Sequence, residues 1–355
     1  MPKALALGNG NILILLDKRA QVRDFYFPYV GQENQVGGRF VHRIGVFADG
    51  RLVWFDDPAW NIIVDCGKET LTSKVTAVNT DLEVSADFKD IIYNEKNIFI
   101  RKITLHNLSK RKRLIKIFFN QQFLLYESHR GDTAYYDPMH KVIIHYKGKR
   151  VFLIDAIAST KSFDDYSVGI FGLEGKEGTY KDAEDGELSK NAIEHGQVDS
   201  VISLSCELAP SESEILYYWI TAAKSIREVH DLNKYVLEKT PQYLMETAQD
   251  FWYAWVNKQN FSFYGLDHSV IELFKKSLFV LRAHVDSNGS ILASGDSSML
   301  EHGRDTYGYM WPRDGAFVAT ALDKAGDLNV AKRFFEFCNQ VINDEGYLMH
   351  KGRPD

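Results

Sequence analysis

Hairpin punctuation governs the first two thirds of this chain and stops near Pro241. Gly8-Asn9-Gly10 precedes strand-like residues 11–16. Asp49-Gly50 separates β-rich residues 43–47 from 51–55, and Lys147-Gly148-Lys149 separates 141–146 from 151–154. Asx-Gly or a glycine between β-branched runs marks a hairpin, because the turn needs positive φ. No helical period intervenes between Ala4 and about Thr221. Short strands at close spacing predict an antiparallel sandwich, large enough here to need two big facing sheets.

Beyond Pro241 the period becomes helical. Residues 241–258 read as a helix rich in large apolar side chains, among them Tyr243, Leu244, Phe251, Trp252 and Trp255. Ser269-x-x-Glu272 has the form of a capping box. Val270, Leu273, Phe274, Leu278, Leu281 and Val285 then follow at three- and four-residue steps. Residues 286–295 read as loop. A helix is predicted over 314–325, ending at Gly326, and another over 328–342 with Val330, Phe334, Phe337 and Val341 inward. Short connections between antiparallel helices point to a bundle or an α/α toroid. So few helices bury little. Their apolar faces are expected to be covered by further barrel helices or by self-association.

Composition excludes several classes of function. The 355 residues suggest about two domains. With 22 Phe, 18 Tyr and 6 Trp there is ample material for cores. The net charge of −6 argues against a nucleic-acid binder. Cys66, Cys206 and Cys338 stand apart, with neither a disulfide framework nor zinc spacing. No signal-peptide core and no membrane-length apolar stretch occur, so the expected location is cytoplasmic, without a membrane partner. Residues 109–113 (Ser-Lys-Arg-Lys-Arg) read as a solvated turn, and the acidic run 182–187 as a floppy loop. Neither GxGxxG nor GxxxxGK[ST] is present. No His pair has zinc-ligand spacing, so no cofactor and no metal is expected for catalysis.

The most informative stretch is residues 305–315, Asp-Thr-Tyr-Gly-Tyr-Met-Trp-Pro-Arg-Asp-Gly. Pro312 forces Trp311 out of helical geometry just before a helix start. Asp314 suits a helix N-terminus, whereas Arg313 opposes the positive end of the dipole, so helix stability does not account for it. Tyr307, Tyr309 and Trp311 alternate beside this pair. A carboxylate accepts hydrogen bonds from sugar hydroxyls, a guanidinium donates several, and aromatic faces cover the C–H face of a pyranose. The competing structural reading is a surface Arg–Asp pair over a buried aromatic loop.

Tyr-x-Tyr-x-Trp-Pro-Arg-Asp-Gly resembles the signature of glycoside hydrolase family 15, the glucoamylases, glucodextranases and related trehalases. The similarity extends to Ser277–His284, 288–294, 303–307, 333–338 and 345–351. In the N-terminal half it touches Gly8-Asn9-Gly10 and Tyr26-Phe27-Pro28-x-Val30-Gly31. The resemblance implies a β-supersandwich at residues 1–238, a helical linker at 239–262 and, at 263–355, the first helices of an (α/α)6 barrel, incomplete here. It implies that Arg313 and Asp314 hold hydroxyls of the non-reducing-end glucose, with Tyr307 near the ring oxygen and Trp311 lining the same pocket. It also implies inverting exo-cleavage of α-linked glucose oligosaccharides or polysaccharides by an acid–base carboxyl pair. In the family both catalytic glutamates lie well past the stretch matched by 345–351, so the general acid and base are expected beyond Asp355. Glu301, Asp305 and Asp314 do not take those roles, and the sequence reads as the N-terminal part of such an enzyme. Two other readings are a non-catalytic carbohydrate-binding or regulatory protein and a sugar phosphorylase, against which the Trp-Pro-Arg-Asp segment speaks. The purified 355-residue chain is therefore expected to release no glucose from maltotetraose, since losing a general acid or base costs about 10²-fold or more each. Release at ordinary enzymatic rates would overturn this.

Overall fold

The computed structural model describes residues 3–128, 130–300 and 307–354. Glu301 and residues 303–306 of the family resemblance, Asp305 included, lie outside the described residues. So does Asp355, the position beyond which the acid and base are expected, and the structure therefore does not test that expectation. A small antiparallel sheet comes first, with β1 (Leu5–Gly8), β2 (Leu13–Leu16), β3 (Val22–Tyr29) and β4 (Gln32–Asn34) side by side in that order. There follow β5 (Arg43–Ala48), β6 (Arg51–Trp54), β7 (Trp60–Cys66), β8 (Ser73–Asn79), β9 (Val84–Ile92), β10 (Ile98–Asn107), β11 (Arg113–Gln122) and β12 (Asp132–Asp137). The remaining strands are β13 (Val142–Lys147), β14 (Arg150–Ala158), β15 (Lys161–Ser162), β16 (Asp165–Ile170), β17 (Ile193–Gly196), β18 (Val198–Leu208) and β19 (Ser213–Ala223).

Two large sheets face each other across one core. One runs β17-β12-β13-β14-β19-β10-β9-β8-β7 with β15 on β14, and the other β16-β18-β11-β5-β6. Phe119 of β11 stacks on Tyr218 of β19 at 4.5 Å between centroids, and Phe55 meets Phe88 edge-on at 5.5 Å. The hairpin expected at Asp49-Gly50 joins β5 to β6, with both turn residues at positive φ (54° and 79°), as a type I′ turn demands.

The helices are α1 (Ile226–Lys239), α2 (Pro241–Val256), α3 (His268–Ala283), α4 (Pro312–Lys324) and α5 (Leu328–Gln340). Among the described residues no helix is long and apolar enough to cross a membrane. α1 and α2 cover the outer face of the larger sheet. Val236, Leu244, Met245 and Ala248 pack with Ile91, Ile98, Ile100 and Trp219, and Val229 with Val142, Leu153 and Ala223. The middle strands are thus covered on both sides and read as continuous apolar runs, whereas edge strand β7 alternates.

The structure corrects several expectations. α1 is a helix within the stretch expected to be sandwich: Val229, Asn233 and Val236 are buried, with Leu232 and Tyr235 packed beside them, and this stripe at three- and four-residue steps is itself a helical period. A Ser-x-x-Glu cap does mark it: Ser225 Oγ accepts from Glu228 N at 3.3 Å, and Glu228 accepts from Lys224 N at 3.1 Å. At α3 the expected capping box is not made. The helix begins at His268, Asp267 occupies the N-cap position, and Glu272 pairs with His268 instead. Val330, Phe334 and Phe337 are buried, so that face of α5 is not open, while Val341 just past its end is exposed. Val270 and Phe274 on α3 are partly exposed, and Tyr264 before α3 and Phe317 on α4 are largely so. The 109–113 turn is solvated at Arg111 and Lys112, but Arg113 is buried, donating to Asp49, to Asn107 and to the Leu82 and Glu83 carbonyls. The acidic run is held as well. Residues Asp182–Asp185 form a 3-10 turn with Ala183 buried, and Lys116 Nζ donates to the Gly186 carbonyl at 2.7 Å.

A buried polar chain pins α1 to the sheet. Trp219 Nε1 donates to Asn233 Oδ1 at 2.6 Å, and Asn233 Nδ2 donates to Asp155 Oδ2 at 3.1 Å. Burial pushes the Asp155 carboxyl up to about 7. Because its folded pKa exceeds the unfolded one, the stability it contributes at low pH is lost as pH rises towards 7. Asp155→Asn is expected to gain on wild type by on the order of 2 kcal/mol from about pH 5 to about pH 8. Denaturant melts of both proteins at the two pH values check this.

Candidate sugar-binding site at the head of α4

Three extended segments meet where α4 begins. Met310 N donates to the Gly352 carbonyl at 3.0 Å, and Gly352 N returns a bond to Met310 at 2.9 Å. On the other side Ala293 N donates to Tyr309 O at 3.1 Å and Ser294 N to Tyr307 O at 3.0 Å. Met310 is buried in this small ladder. Tyr309 and Trp311 lie on one side together, since the Lys351 ammonium stands over both rings at 5.1 and 6.0 Å, and Tyr307 stacks on Trp311. Pro312 takes the first position of α4, where a missing N–H is harmless. A Cβ on Gly315 would run into the Phe334 ring, so glycine here lets α4 close on α5.

Those requirements explain Met310, Pro312 and Gly315, but not their polar neighbours. Arg313 Nη2 meets Asp314 Oδ2 at 3.1 Å, with the Arg313 side chain 72% exposed. So exposed a pair is worth at most about 1 kcal/mol. Arg313 also stands at the helix end where a cation is disfavoured. The Tyr307 and Trp311 rings stack at 5.5 Å, and His350 meets Trp311 edge-on at 4.6 Å. Trp311 Nε1 is buried and, among the described residues, has no hydrogen-bond partner. The four residues singled out from sequence form two contacting pairs at the head of α4, Tyr307 with Trp311 and Arg313 with Asp314. Sequence reasoning gave no role to Lys351, whose ammonium lies 5.1 Å from the Tyr309 ring centroid, or to Arg353. For Lys351 the available signal was the match at 345–351. A cavity of about 590 Å³ adjoins the segment, between Tyr309 and Arg353 on one side and Tyr26, Asn34 and Glu127 on the other.

The small N-terminal sheet sets the position of this ladder. Val30 N donates to Asp286 Oδ2 at 2.6 Å and Asn288 N to Oδ1 at 2.9 Å; burial pushes this carboxyl up to about 6. Tyr26 Oη donates to the Gly295 carbonyl at 2.8 Å, and Lys3 pairs with Asp296 at 3.2 Å. On the helical side Asp327 accepts from Trp255 Nε1 at 3.0 Å and pairs with Lys258 at 3.6 Å and Arg282 at 4.0 Å. That tie links α2, α3 and α5.

No family model matches the chain. Across 99% of its length it superposes on a bacterial glucoamylase solved with acarbose, at a TM-score of 0.80 and 16% identity. The fold is glucoamylase-like. A protein assigned as a kojibiose phosphorylase from the human microbiome superposes over 95% of the chain, at a TM-score of 0.62 and 10% identity. In sequence the chain is 23% identical, over 346 residues, to an uncharacterized glycosyl hydrolase of Methanocaldococcus jannaschii. That alignment covers 96% of this chain and 53% of the relative, and the glucoamylase superposition covers 52% of that chain. The chain thus spans about half the length of the relatives it matches. Within this glucoamylase-like fold, residues Gly8–Gly10 and Tyr26–Gly31, both part of the family resemblance, are the surfaces against which residues 283–295 dock.

At Gly8 a Cβ would lie 2.7 Å from the Ala283 carbonyl oxygen, a backbone atom with little room to yield. Gly8→Ala is expected to destabilise the protein by about 1–3 kcal/mol. Hydrogen exchange should accelerate at residues 283–296 while β8 to β10 keep their protection. An unchanged exchange pattern would show that the contact does not hold the ladder in place.

Proposed function

We propose that the chain belongs to a family 15-like glycoside hydrolase that removes glucose by inversion from the non-reducing ends of α-glucosides. In this reading α3 to α5 are helices of an (α/α)6 barrel, and the turn Tyr307–Asp314 holds the terminal glucose. The observation that carries it is the exposed Arg313–Asp314 pair at 3.1 Å beside an aromatic wall containing a buried Trp311 Nε1–H that has no partner among the described residues. Asp314 also suits the N-terminus of α4, but neither the exposed Arg313 nor the Trp311 indole N–H serves the stability of that helix. The glucoamylase-like fold supports the reading.

Each group then has defined work. The Asp314 carboxylate accepts from two adjacent hydroxyls, and the Arg313 guanidinium donates to a neighbouring oxygen. Trp311 Nε1, which has no partner among the described residues, donates to a hydroxyl. Tyr307 lies on the side where positive charge develops near the ring oxygen of an oxocarbenium-like transition state. Inversion requires acid and base carboxyls about 6.5–9.5 Å apart with a water between them. The reading assigns neither of those roles to Arg313, Asp314, Tyr307 or Trp311, and looks for both carboxyls beyond Asp355.

In the enzyme carrying this chain, Asp314→Ala is expected to lower kcat/KM for maltooligosaccharides by about 10²-fold or more. A site built to bind a hydroxyl discriminates strongly once a partner is lost. The melting temperature should change little, because the pair is exposed. Near-normal kcat/KM would overturn the assignment. Product analysis with and without phosphate separates the reaction classes: glucose alone supports hydrolysis, and glucose 1-phosphate supports the phosphorylase reading. Saccharide binding that depends on Asp314, with no turnover, supports the carbohydrate-binding reading.

A further inference from the structure

Away from this site, two imidazoles and one carboxylate converge where the β12–β13 turn meets α1. Asp137 ends β12, His140 stands in the turn, and His230 lies in the second turn of α1. Asp137 Oδ1 is committed to the turn, accepting from Met139 N at 2.9 Å and His140 N at 3.4 Å. Oδ2 faces both rings, with His140 Nδ1 at 2.7 Å and His230 Nε2 at 3.4 Å. The ring centroids are 4.2 Å apart, and one donor atom from each residue lies within 4.8 Å of the others.

We propose that Asp137, His140 and His230 form a binding site for a divalent transition-metal ion of the zinc type, which clips the β12–β13 hairpin to α1. Tetrahedral zinc holds nitrogen and oxygen ligands at about 2.0–2.1 Å, which sets ligand atoms roughly 3.3 Å apart. The Asp137–His230 separation already has that value. The Asp137–His140 separation must open by about 0.6 Å to reach it. His140 has the freedom to do so, since its side chain is 48% exposed. Water completes the coordination. Two imidazoles and a single carboxylate suit zinc, cobalt(II) or nickel(II). Calcium and magnesium instead prefer about six or more oxygen ligands. None of the three residues belongs to the ladder at the head of α4, so the role is structural and independent of the proposed activity.

The test titrates the metal-free 355-residue chain with Zn2+ by calorimetry and with Co2+ by visible absorption. One equivalent should bind, Co2+ should show the intense bands of a tetrahedral site, and saturating Zn2+ should raise the melting temperature. His140→Gln and His230→Gln should each weaken binding by roughly 10- to 100-fold or more, while His106→Gln leaves it unchanged. Circular dichroism checks that each variant is folded. Failure to bind an equivalent in large excess of Zn2+, or wild-type affinity in either folded variant, would overturn the proposal.

Discussion

Close backbone contact between the N-terminal sheet and residues 283–296 is the constraint on which the candidate site depends. Gly8 lies directly against the Ala283 carbonyl, and Asp286 takes up the Val30 N–H. An amide buried without an acceptor costs about 1–3 kcal/mol, so the carboxylate fixes this junction in register. Residues 292–294 are then held in place as the template for 307–310, and that ladder delivers Trp311 to the start of α4. Strands at the beginning of the chain thus determine where an aromatic wall some three hundred residues later can stand.

The sandwich provides a rigid support for this arrangement. Its larger sheet is packed on both faces, by the opposing sheet on one side and by α1 and α2 on the other. Such burial leaves polar groups that must find partners inside. Arg101 and Asp90 do so as a buried pair at 2.6 Å, with Arg101 also donating to the Ala20 carbonyl near the small sheet. The Trp219–Asn233–Asp155 chain does the same under α1. The Arg101–Ala20 and Asn233–Asp155 bonds join elements distant in sequence, and a partner lost from either tie leaves an uncompensated buried group.

Within Trp311-Pro312-Arg313-Asp314-Gly315, architecture and chemistry are interleaved. Pro312 and Gly315 have local mechanical reasons, namely the helix start and the approach of Phe334. Asp314 has a partial one, as the acid in the first turn of α4, whereas Arg313 and the Trp311 indole N–H have none, and it is that lack of structural employment that makes the segment a candidate for binding a sugar. An unfavourable charge at a helix end and a buried donor with no partner among the described residues are small costs, tolerated where a ligand supplies the compensation.

Local rules acting over a few residues are legible directly: the hairpin at Asp49-Gly50, helices α2, α4 and α5, and the aromatic alternation that leads into the Arg313–Asp314 pair. Turn chemistry and helical period depend on neighbours in the chain, so the sequence alone determines them. α1 is legible by the same rules, since Ile226, Val229, Leu232, Asn233 and Val236 recur at helical steps behind the Ser225 cap, yet the expected sandwich runs across it. The α3 cap misleads because Ser-x-x-Glu is permissive, and the N-cap is Asp267, two residues before Ser269. Tertiary structure alone decided which carbonyl Gly8 would meet, that Asp286 would reach Val30, that Arg353 and Tyr309 would border one cavity, and that His140 and His230 would face a single carboxylate. Each of these depends on how separate elements pack, and packing is set by the whole buried surface rather than by any local pattern.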